Sequence, residues 1–465
     1  MKIILVRPFN KFAFSYVPAL GLGYLSSMLK VKGNHEVLLY DAARDRISSI
    51  GLFKTYLSEH DPHVVGIQLC STDLLTAREY LRLAKRYNPE IITVLGGPHP
   101  SACPDETMNY FGTELLDFII AGEGELGFLA LVNSLEQGGR SWEAIPGLAW
   151  RDEYGAISKN ANAVVEDLDT IPYPDWELLD PAKNPYVPLG GFSKNFPMAP
   201  ILVSRGCPLQ CTFCAAKSIY GKGFRFRDID QVIGEVKYLQ ERFGVKEIMI
   251  LDDNIAYRKD LFLELCEKIR PLNIDWNCLN GIRLDFVDEE LVKAMKEARC
   301  YAVSVGIESG SQKILNDMNK KLTIEFVSER INMLAKYKIR ITGLFIIGYP
   351  TETREDILKT IRFAKRLKID RAAFVNFLPL PGSAIFDELK KEGRLRDLDL
   401  GNLSYYKVTR SFSPYLSTEE LDALLKMAIR SFYLRPSIIF KALCSVGSVS
   451  DVFYLAKKFI QNYTV

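Results

Sequence analysis

The sequence predicts an α/β protein: an N-terminal doubly wound parallel sheet, then a (β/α)6 partial TIM barrel, then a small helical C-terminal region. Three observations predict it. Short apolar runs alternate with amphipathic stretches from residue 1 to about 140, the alternation resumes near 198 with six further runs, and a proline- and aromatic-rich connector separates the two series. Such alternation reads as successive βα units carrying parallel strands. The expected organisation is 1–140, a hairpin and connector over 141–195, a barrel over 196–390 and a helical region over 391–465.

In the first series the strand candidates are "KIILVRP", "EVLLYDA", "VVGIQLC", "IITVLGG" and "LLDFIIAG", with amphipathic stretches such as Leu22–Lys32 and Leu75–Tyr87 between them. Five strands and four helices predict an open sheet with helices on both faces. Ligands of such sheets lie beyond the carboxyl ends of the strands. At those ends stand Ser71 and Thr72, then "GGPHPS" with Gly96, Gly97 and His99, then "GEGE" with Gly122, Glu123 and Gly124. Any one of these is an ordinary turn; three on one edge predict a ligand cleft. "IPGLAWRDEYGAISK" (145–159) reads as a hairpin turning near Tyr154-Gly155, and the connector 167–191 as a domain boundary.

The second series offers "APILVSR", "EIMILDD", "DWNCLNGIR", "YAVSVGIES", "RITGLFIIGYP" and "RAAFVNFLPLP", with a capping box from Thr353 to Asp356 opening one helix. Barrel chemistry belongs at the carboxyl-end loops. The tail holds a helix capped at Ser417 and ended by Arg435-Pro436, then an apolar stretch with scattered lysines. A helix packed on the barrel is the expected role for that stretch, with a membrane surface second.

The chain has 465 residues, 48% hydrophobic and 25% charged, and a formal net charge of +2, which favours no nucleic-acid partner. No apolar run is long enough to span a bilayer, and no export signal opens the chain. With nine cysteines, the expected compartment is the reducing cytoplasm, where clustered thiols bind metal or do chemistry.

Three of the nine lie in "RGCPLQCTFCAAK" (205–217), as Cys207, Cys211 and Cys214. A disulfide would strand one of them, and a tetrahedral zinc site would need a fourth ligand from elsewhere. A four-iron cluster on three thiolates keeps one iron open. The pattern Cys-x-x-x-Cys-x-aromatic-Cys, with Phe213 as the aromatic, resembles the signature of the radical S-adenosylmethionine enzymes. The resemblance implies a [4Fe-4S] cluster whose open iron is chelated by the methionine end of the cosubstrate. Reductive cleavage of that cosubstrate would give a 5′-deoxyadenosyl radical. Further segments match in order. Asp252, Asp253 and Asn254 stand where the family contacts the methionine amine, Arg283 where a donor meets the carboxylate, and Glu308 with Ser309 where ribose and carboxylate are held. "GLFIIGYPTET", containing Gly348, resembles the adenine-binding segment, and "FLPLPGS" the sixth-strand loop.

The N-terminal segments "VPALGLGYLSSMLK", "GGPHPSACPDE" and "GEGE" resemble the cobalamin-binding module fused to one branch of these enzymes, which includes carbon methylases and the anaerobic magnesium-protoporphyrin monomethyl ester cyclase. The resemblance covers about 1–390. Ser71, Thr72, Gly96, Gly97, His99, Gly122, Glu123 and Gly124 become the expected corrinoid contacts. The Asp-x-His-x-x-Gly segment that supplies a histidine beneath cobalt elsewhere is absent, which leaves the lower face bare or held by another side chain or water. His99 either meets the corrinoid or orders its turn, while His35, His60 and His63 are expected at the surface. Cys70 and Cys103 flank the cleft, and Cys266, Cys278, Cys300 and Cys444 share no metal spacing. Cys278 and Trp276 are expected to face the barrel interior or its rim.

The combined resemblance implies cobalamin-dependent methyl transfer to an unactivated carbon of a small molecule, with lipid, terpenoid and tetrapyrrole among the candidates. A flavodoxin- or ferredoxin-type protein would supply electrons. The alternative is radical cyclisation or rearrangement with cobalamin in another role or absent. A non-catalytic iron–sulfur scaffold or sensor is the reading from another class.

Overall fold

The computed structural model describes residues 1–9, 18–45, 47, 49–139, 141–182, 194–221 and 223–444, with side chains to 440. All five strands of the first series form: β1 (Lys2–Arg7), β2 (Glu36–Asp41), β3 (Val64–Gln68), β4 (Ile92–Gly96) and β5 (Phe118–Ile120). They pair in parallel in the order β2-β1-β3-β4-β5, the doubly wound arrangement whose strand order reverses beside β1. Ile4, Val6, Val65, Ile67, Leu95 and Ile119 pack on Phe53, Leu57, Tyr80 and Leu81 from the flanking helices.

The hairpin belongs to this sheet. β6 (Leu148–Arg151) and β7 (Ile157–Lys159) extend it antiparallel to seven strands, with Ile120 opposite Leu148. The expected five-stranded edge would have left β5 unpaired, and the hairpin closes it. The described part of the connector is also packed: Trp176 is buried and donates through Nε1 to Glu235 Oε1 at 3.0 Å, while Asp175 accepts from Ser26 and Lys30. Its remainder, 183–191, lies outside the described residues, as does the tail beyond Cys444.

The described chain folds as two compact units, Met1–Asn280 with Pro379–Gly401, and Gly281–Leu378 with Asn402 onward. In the first, β8 (Met198–Ile201), β11 (Glu247–Ile250) and β12 (Asp275–Ile282) run parallel. The expected strand "APILVSR" splits: β9 (Ser204–Arg205) turns away to pair antiparallel with β10 (Arg225–Phe226). In the second unit, β13 (Cys300–Glu308), β14 (Arg340–Ile347) and β15 (Arg371–Asn376) are parallel neighbours. The Thr353–Asp356 capping box forms, and Ser417 caps the helix Thr418–Tyr433 by accepting from Glu420 N–H. That helix covers the strands: Phe345 stacks on Phe374 at 5.0 Å, and Phe374 meets Phe432 at 6.3 Å.

Two expectations need correction. His35 is buried, bridging the Met1 amino group and Asn133 Oδ1 at 3.1 and 2.8 Å, because it follows a helix whose end packs on the sheet edge. Trp276 packs edge-to-face on Phe262 of the helix Lys259–Ile269, so the face it shares with Cys278 is covered by a helix. Among the described residues no helix is long and apolar enough to cross a membrane.

Replacing Phe345 by Ala removes a buried ring from a three-ring stack and should cost about 3–5 kcal/mol. Urea unfolding followed by circular dichroism should show a lower midpoint; an unchanged midpoint would mean the stack carries no stability.

Candidate functional site

The three expected ligand loops of the first sheet are physically joined. Ser71 Oγ lies 2.9 Å from His99 Nδ1, and Ser101 Oγ accepts from Gly122 N–H at 2.9 Å while donating to the Gly97 carbonyl at 2.7 Å. Ser71 opens the short turn Ser71–Asp73, which contains Thr72. Gly96 ends β4, and Gly97 holds φ at +101°, where a Cβ would press on the Leu69 backbone at 3.2 Å. His99 is buried, and burial pushes its pKa down to about 4, so the ring is neutral. Its Nε2 lies 3.6 Å from Cys103 Sγ. Both line a cavity of about 740 Å³ with Leu74, Tyr110, Phe386 and Lys390.

"GEGE" behaves differently from expectation. Gly122 and Gly124 are loop and helix-start residues, but the Glu123 carboxylate is committed to protein partners. It accepts from Arg205 at 3.0 Å, from Arg225 at 2.6 Å and from Val165 N–H; Glu125 accepts from Arg205 at 2.7 Å. Arg205 also stacks on Tyr24, 5.0 Å from the ring centre. Glu123, Glu125 and Arg205 are all buried. Arg205 and Arg225 sit on β9 and β10, the stem of the cysteine loop, so two acids of the first sheet grip that stem.

Within the loop, Gly206 has φ of +89° and a Cβ there would collide with the Gly223 carbonyl at 2.3 Å. Cys207, Cys211, Phe213 and Cys214 are half-buried, and none of the three thiols is in a disulfide. Burial pushes the Cys214 thiol up to about 11, with Asp253, Cys211 and Cys207 adding to the rise. Three soft thiol donors in one short loop suit an iron–sulfur core. Among the described residues no group of three His, Cys, Asp or Glu side chains stands close enough to hold a metal ion. Thr212 contributes its carbonyl to Ile385 N–H at 3.0 Å, tying the loop to the segment 379–401.

The acidic stretch after β11 divides its work. Asp252 is buried, accepts from Val203 N–H at 2.8 Å and from Ser204 Oγ, and is raised to about 7 by burial. It therefore braces the start of the cysteine loop. Asn254 is fully buried, yet both atoms of its side-chain amide lack a partner. Buried polar atoms are rarely left so, and an absent polar ligand is one explanation. Beside it, Asp253 is exposed and acts electrostatically on Cys214. Donor set and orphaned amide thus fit a cluster and an amino-acid-bearing cosubstrate.

In the second unit, Glu308 ends β13 at φ of +67°, past a shift in register after Gly306. A non-glycine residue held there is strained, which is frequent at ligand sites. Its carboxylate meets Lys320 Nζ at 2.7 Å, both buried. Arg283 donates to Asp285 at 3.0 and 2.9 Å and to the Lys320 carbonyl at 2.7 Å, so Lys320 joins both expected cosubstrate groups. No pattern in the sequence separated Lys320 from the other surface-type lysines. Ser309 is turned inward: its hydroxyl lies 3.0 Å from Thr360 Oγ1 and accepts from Ser311 N–H. Gly348 (φ +88°) donates from its N–H to Glu352 Oε2 at 2.6 Å. Glu352 is buried, pushed up to about 8 by desolvation, and its Oε1 lacks a partner.

Replacing Arg205 by Met strips the buried Glu125 of its arginine and leaves Glu123 with Arg225 alone, and should cost about 3–5 kcal/mol and loosen the cysteine loop. Iron content after anaerobic reconstitution should fall well below wild type; full retention would show that the grip is dispensable. For His99, folding lowers the pKa from 6.5 to about 4, so the unfolded chain binds the extra proton in between. Stability from this site is full above about pH 6.5 and is lost as pH falls towards 4. Urea midpoints from pH 7 to pH 4 should decline less in His99→Gln; parallel curves would exclude the effect.

Comparison with known proteins supplies the family. Residues 201–364 match the Radical SAM superfamily and residues 12–132 the B12 binding domain. An uncharacterized methyltransferase of Pyrococcus horikoshii is 32% identical over 448 residues, covering 95% of this chain and 94% of that one. The anaerobic magnesium-protoporphyrin IX monomethyl ester cyclase of Rubrivivax gelatinosus is 29% identical over 83% of this chain and 68% of its own. The radical S-adenosylmethionine methyltransferase TsrM of Kitasatospora setae, solved with cobalamin and [4Fe-4S] cluster bound, shares the fold with a TM-score of 0.71 at 18% identity, covering 94% of this chain and 89% of that one. A three-cysteine loop in the part that matches the first model and a doubly wound sheet in the part that matches the second agree with these matches: this chain belongs to the cobalamin-binding radical S-adenosylmethionine enzymes.

Proposed function

We propose that this enzyme transfers a methyl group to an unactivated carbon of a small-molecule substrate, consuming two molecules of S-adenosylmethionine per turnover. The observation that carries the proposal is the grip of Glu123 and Glu125 on Arg205 and Arg225. It fixes the stem of the cysteine loop to the same frame that holds the loops around His99, so both cofactor elements answer to one scaffold. Similarity to a methyltransferase along nearly the whole chain supports the same reading.

When bound, the reduced cluster supplies the electron that cleaves S-adenosylmethionine, and cobalamin supplies the methyl group. The protein's work is placement. Cys207, Cys211 and Cys214 would hold the cluster. Asp253 and the unpartnered Asn254 amide receive the methionine amino group. Glu308, held by Lys320, accepts from ribose hydroxyls, and Arg283 offers positive charge to the carboxylate. Gly348, pinned by Glu352, presents the backbone along the adenine. Ser71, Gly97, His99 and Gly122 shape the corrinoid side, with His99 neutral. A flavodoxin- or ferredoxin-type protein delivers electrons.

Anaerobic reconstitution with iron, sulfide and cobalamin should give a brown protein that retains corrinoid through gel filtration. Given its substrate and a reductant, it should release 5′-deoxyadenosine and S-adenosylhomocysteine together. Cys211→Ala should lose the cluster absorbance and both products. Similarity to the magnesium-protoporphyrin cyclase favours the second reading, oxidative cyclisation. That reading predicts deoxyadenosine without the homocysteine product, an outcome that would replace methyl transfer.

A further inference from the structure

In the second unit, residues 402–416 cross the carboxyl ends of β14 and β15, the edge that also carries Gly348. The Tyr405 carbonyl accepts from Asn376 N–H at 2.7 Å, where β15 ends, and Ser413 Oγ donates to the Glu352 carbonyl at 2.9 Å, beyond the end of β14. Phe412 packs edge-to-face on Phe377 at 6.0 Å, and Phe377 meets Tyr349 in the same way at 5.4 Å. Leu403, Val408, Phe412 and Leu416 are buried, so the segment is a strap seated on both strand ends. Its outer side is aromatic and basic. Tyr405 and Tyr406 are 39% and 46% exposed, and Lys407 is exposed beside them. From Asn402 to Ser417 the sequence holds Lys407 and Arg410 and no acid, in a chain whose charges otherwise nearly balance.

The two strands beneath the strap are apolar on the face turned away from the helix Thr418–Tyr433. Phe345, Ile347 and Phe374 are buried on the helix side, where Phe374 meets Phe432. The alternate residues Leu344, Ile346, Ala373 and Val375 are only half-buried, with Leu344 beside Ala373 and Ile346 beside Val375 in register. Side chains alternate across a strand, so these share the other face. A wall of aliphatic carbon suits an apolar ligand body, and polarity enters at the strap. There the tyrosine rings suit flat unsaturated carbon, and the lysine suits an anion. Barrel substrates lie at this carboxyl-end edge. We propose that the small-molecule substrate has an unsaturated apolar body and an anionic group, carboxylate or phosphate, and that this rim selects it. The aliphatic wall and the rings of Tyr405 and Tyr406 take the body, and Lys407 takes the anion. The inference rests on the reading above that the enzyme acts on a small molecule, and adds the class of that molecule.

The test uses two probes, pyrenebutyrate, which is flat, apolar and anionic, and pyrenemethanol, its neutral counterpart. Each is dialysed to equilibrium against reconstituted full-length protein with S-adenosylmethionine present, so that the cosubstrate site is filled. The charged probe should bind roughly tenfold more tightly than the neutral one. Tyr405→Ala with Tyr406→Ala should weaken both probes about tenfold, whereas Lys407→Glu should weaken the charged probe alone. Circular dichroism and iron content would establish that both variants are folded. Displacement of the charged probe by dodecanoate or by dodecyl phosphate supports the site and tells a carboxylate from a phosphate; displacement by neither overturns it. No binding, equal affinity for the two probes, or affinities unmoved by both variants would also overturn the proposal. The expected pattern in an enzyme that never forms S-adenosylhomocysteine would instead remove methyl transfer and leave this substrate site in place.

Discussion

The structure of the cysteine loop depends on a buried ionic grip. Arg205 precedes Cys207 by two residues and lies between Glu123 and Glu125, while Arg225 closes the far side of the stem on Glu123. Charges taken out of water are costly unless every one is matched, so the cluster of two acids and two bases has little freedom to rearrange. That rigidity suits a loop proposed to present three thiols to one cluster. β9 leaves the sheet after Ile201 to pair with β10, and its arginine meets both acids.

Around this grip, backbone conformations that side chains disfavour recur at the ends of strands. Gly97 and Gly206 occupy positive φ where a Cβ would strike neighbouring backbone, and Gly348 does so beneath Leu421. Glu308 does the same without being glycine, held by its pairing with Lys320. Glycine gives close approach without strain, whereas a strained glutamate needs surrounding contacts to keep it in place. Gly97 and Gly206 of the first unit thus rely on glycine alone, whereas the second unit uses both means, Gly348 and the paired Glu308.

Unmatched polarity marks the same regions. The Asn254 amide and Glu352 Oε1 are buried without partners, while the neighbouring Asp252 is fully engaged and Glu352 Oε2 accepts from the Gly348 N–H. In an interior where polar atoms are nearly always paired, such exceptions are informative. They separate residues whose polar atoms are satisfied within the fold from residues whose atoms are not, a distinction that residue type alone does not make.

Much of this protein was legible in its sequence. The alternation of apolar runs with amphipathic stretches determined the parallel strands, because backbone pairing and one-sided burial impose those periods locally. The three-cysteine spacing pointed to the family that the Radical SAM match shows, since its signature lies in one short segment. The roles of Glu123, Ser309, His35 and Lys320 were not legible: each depends on a partner 12 to 98 positions away, and nothing near them in the chain announces it. The hairpin's place on the first sheet was likewise a matter of which edge remained open. Sequence by itself determined which segments form strands and where thiols gather; tertiary structure alone decided which charged side chains pair in the interior and which buried polar groups do not, because desolvation and pairing are set by neighbours distant in the chain.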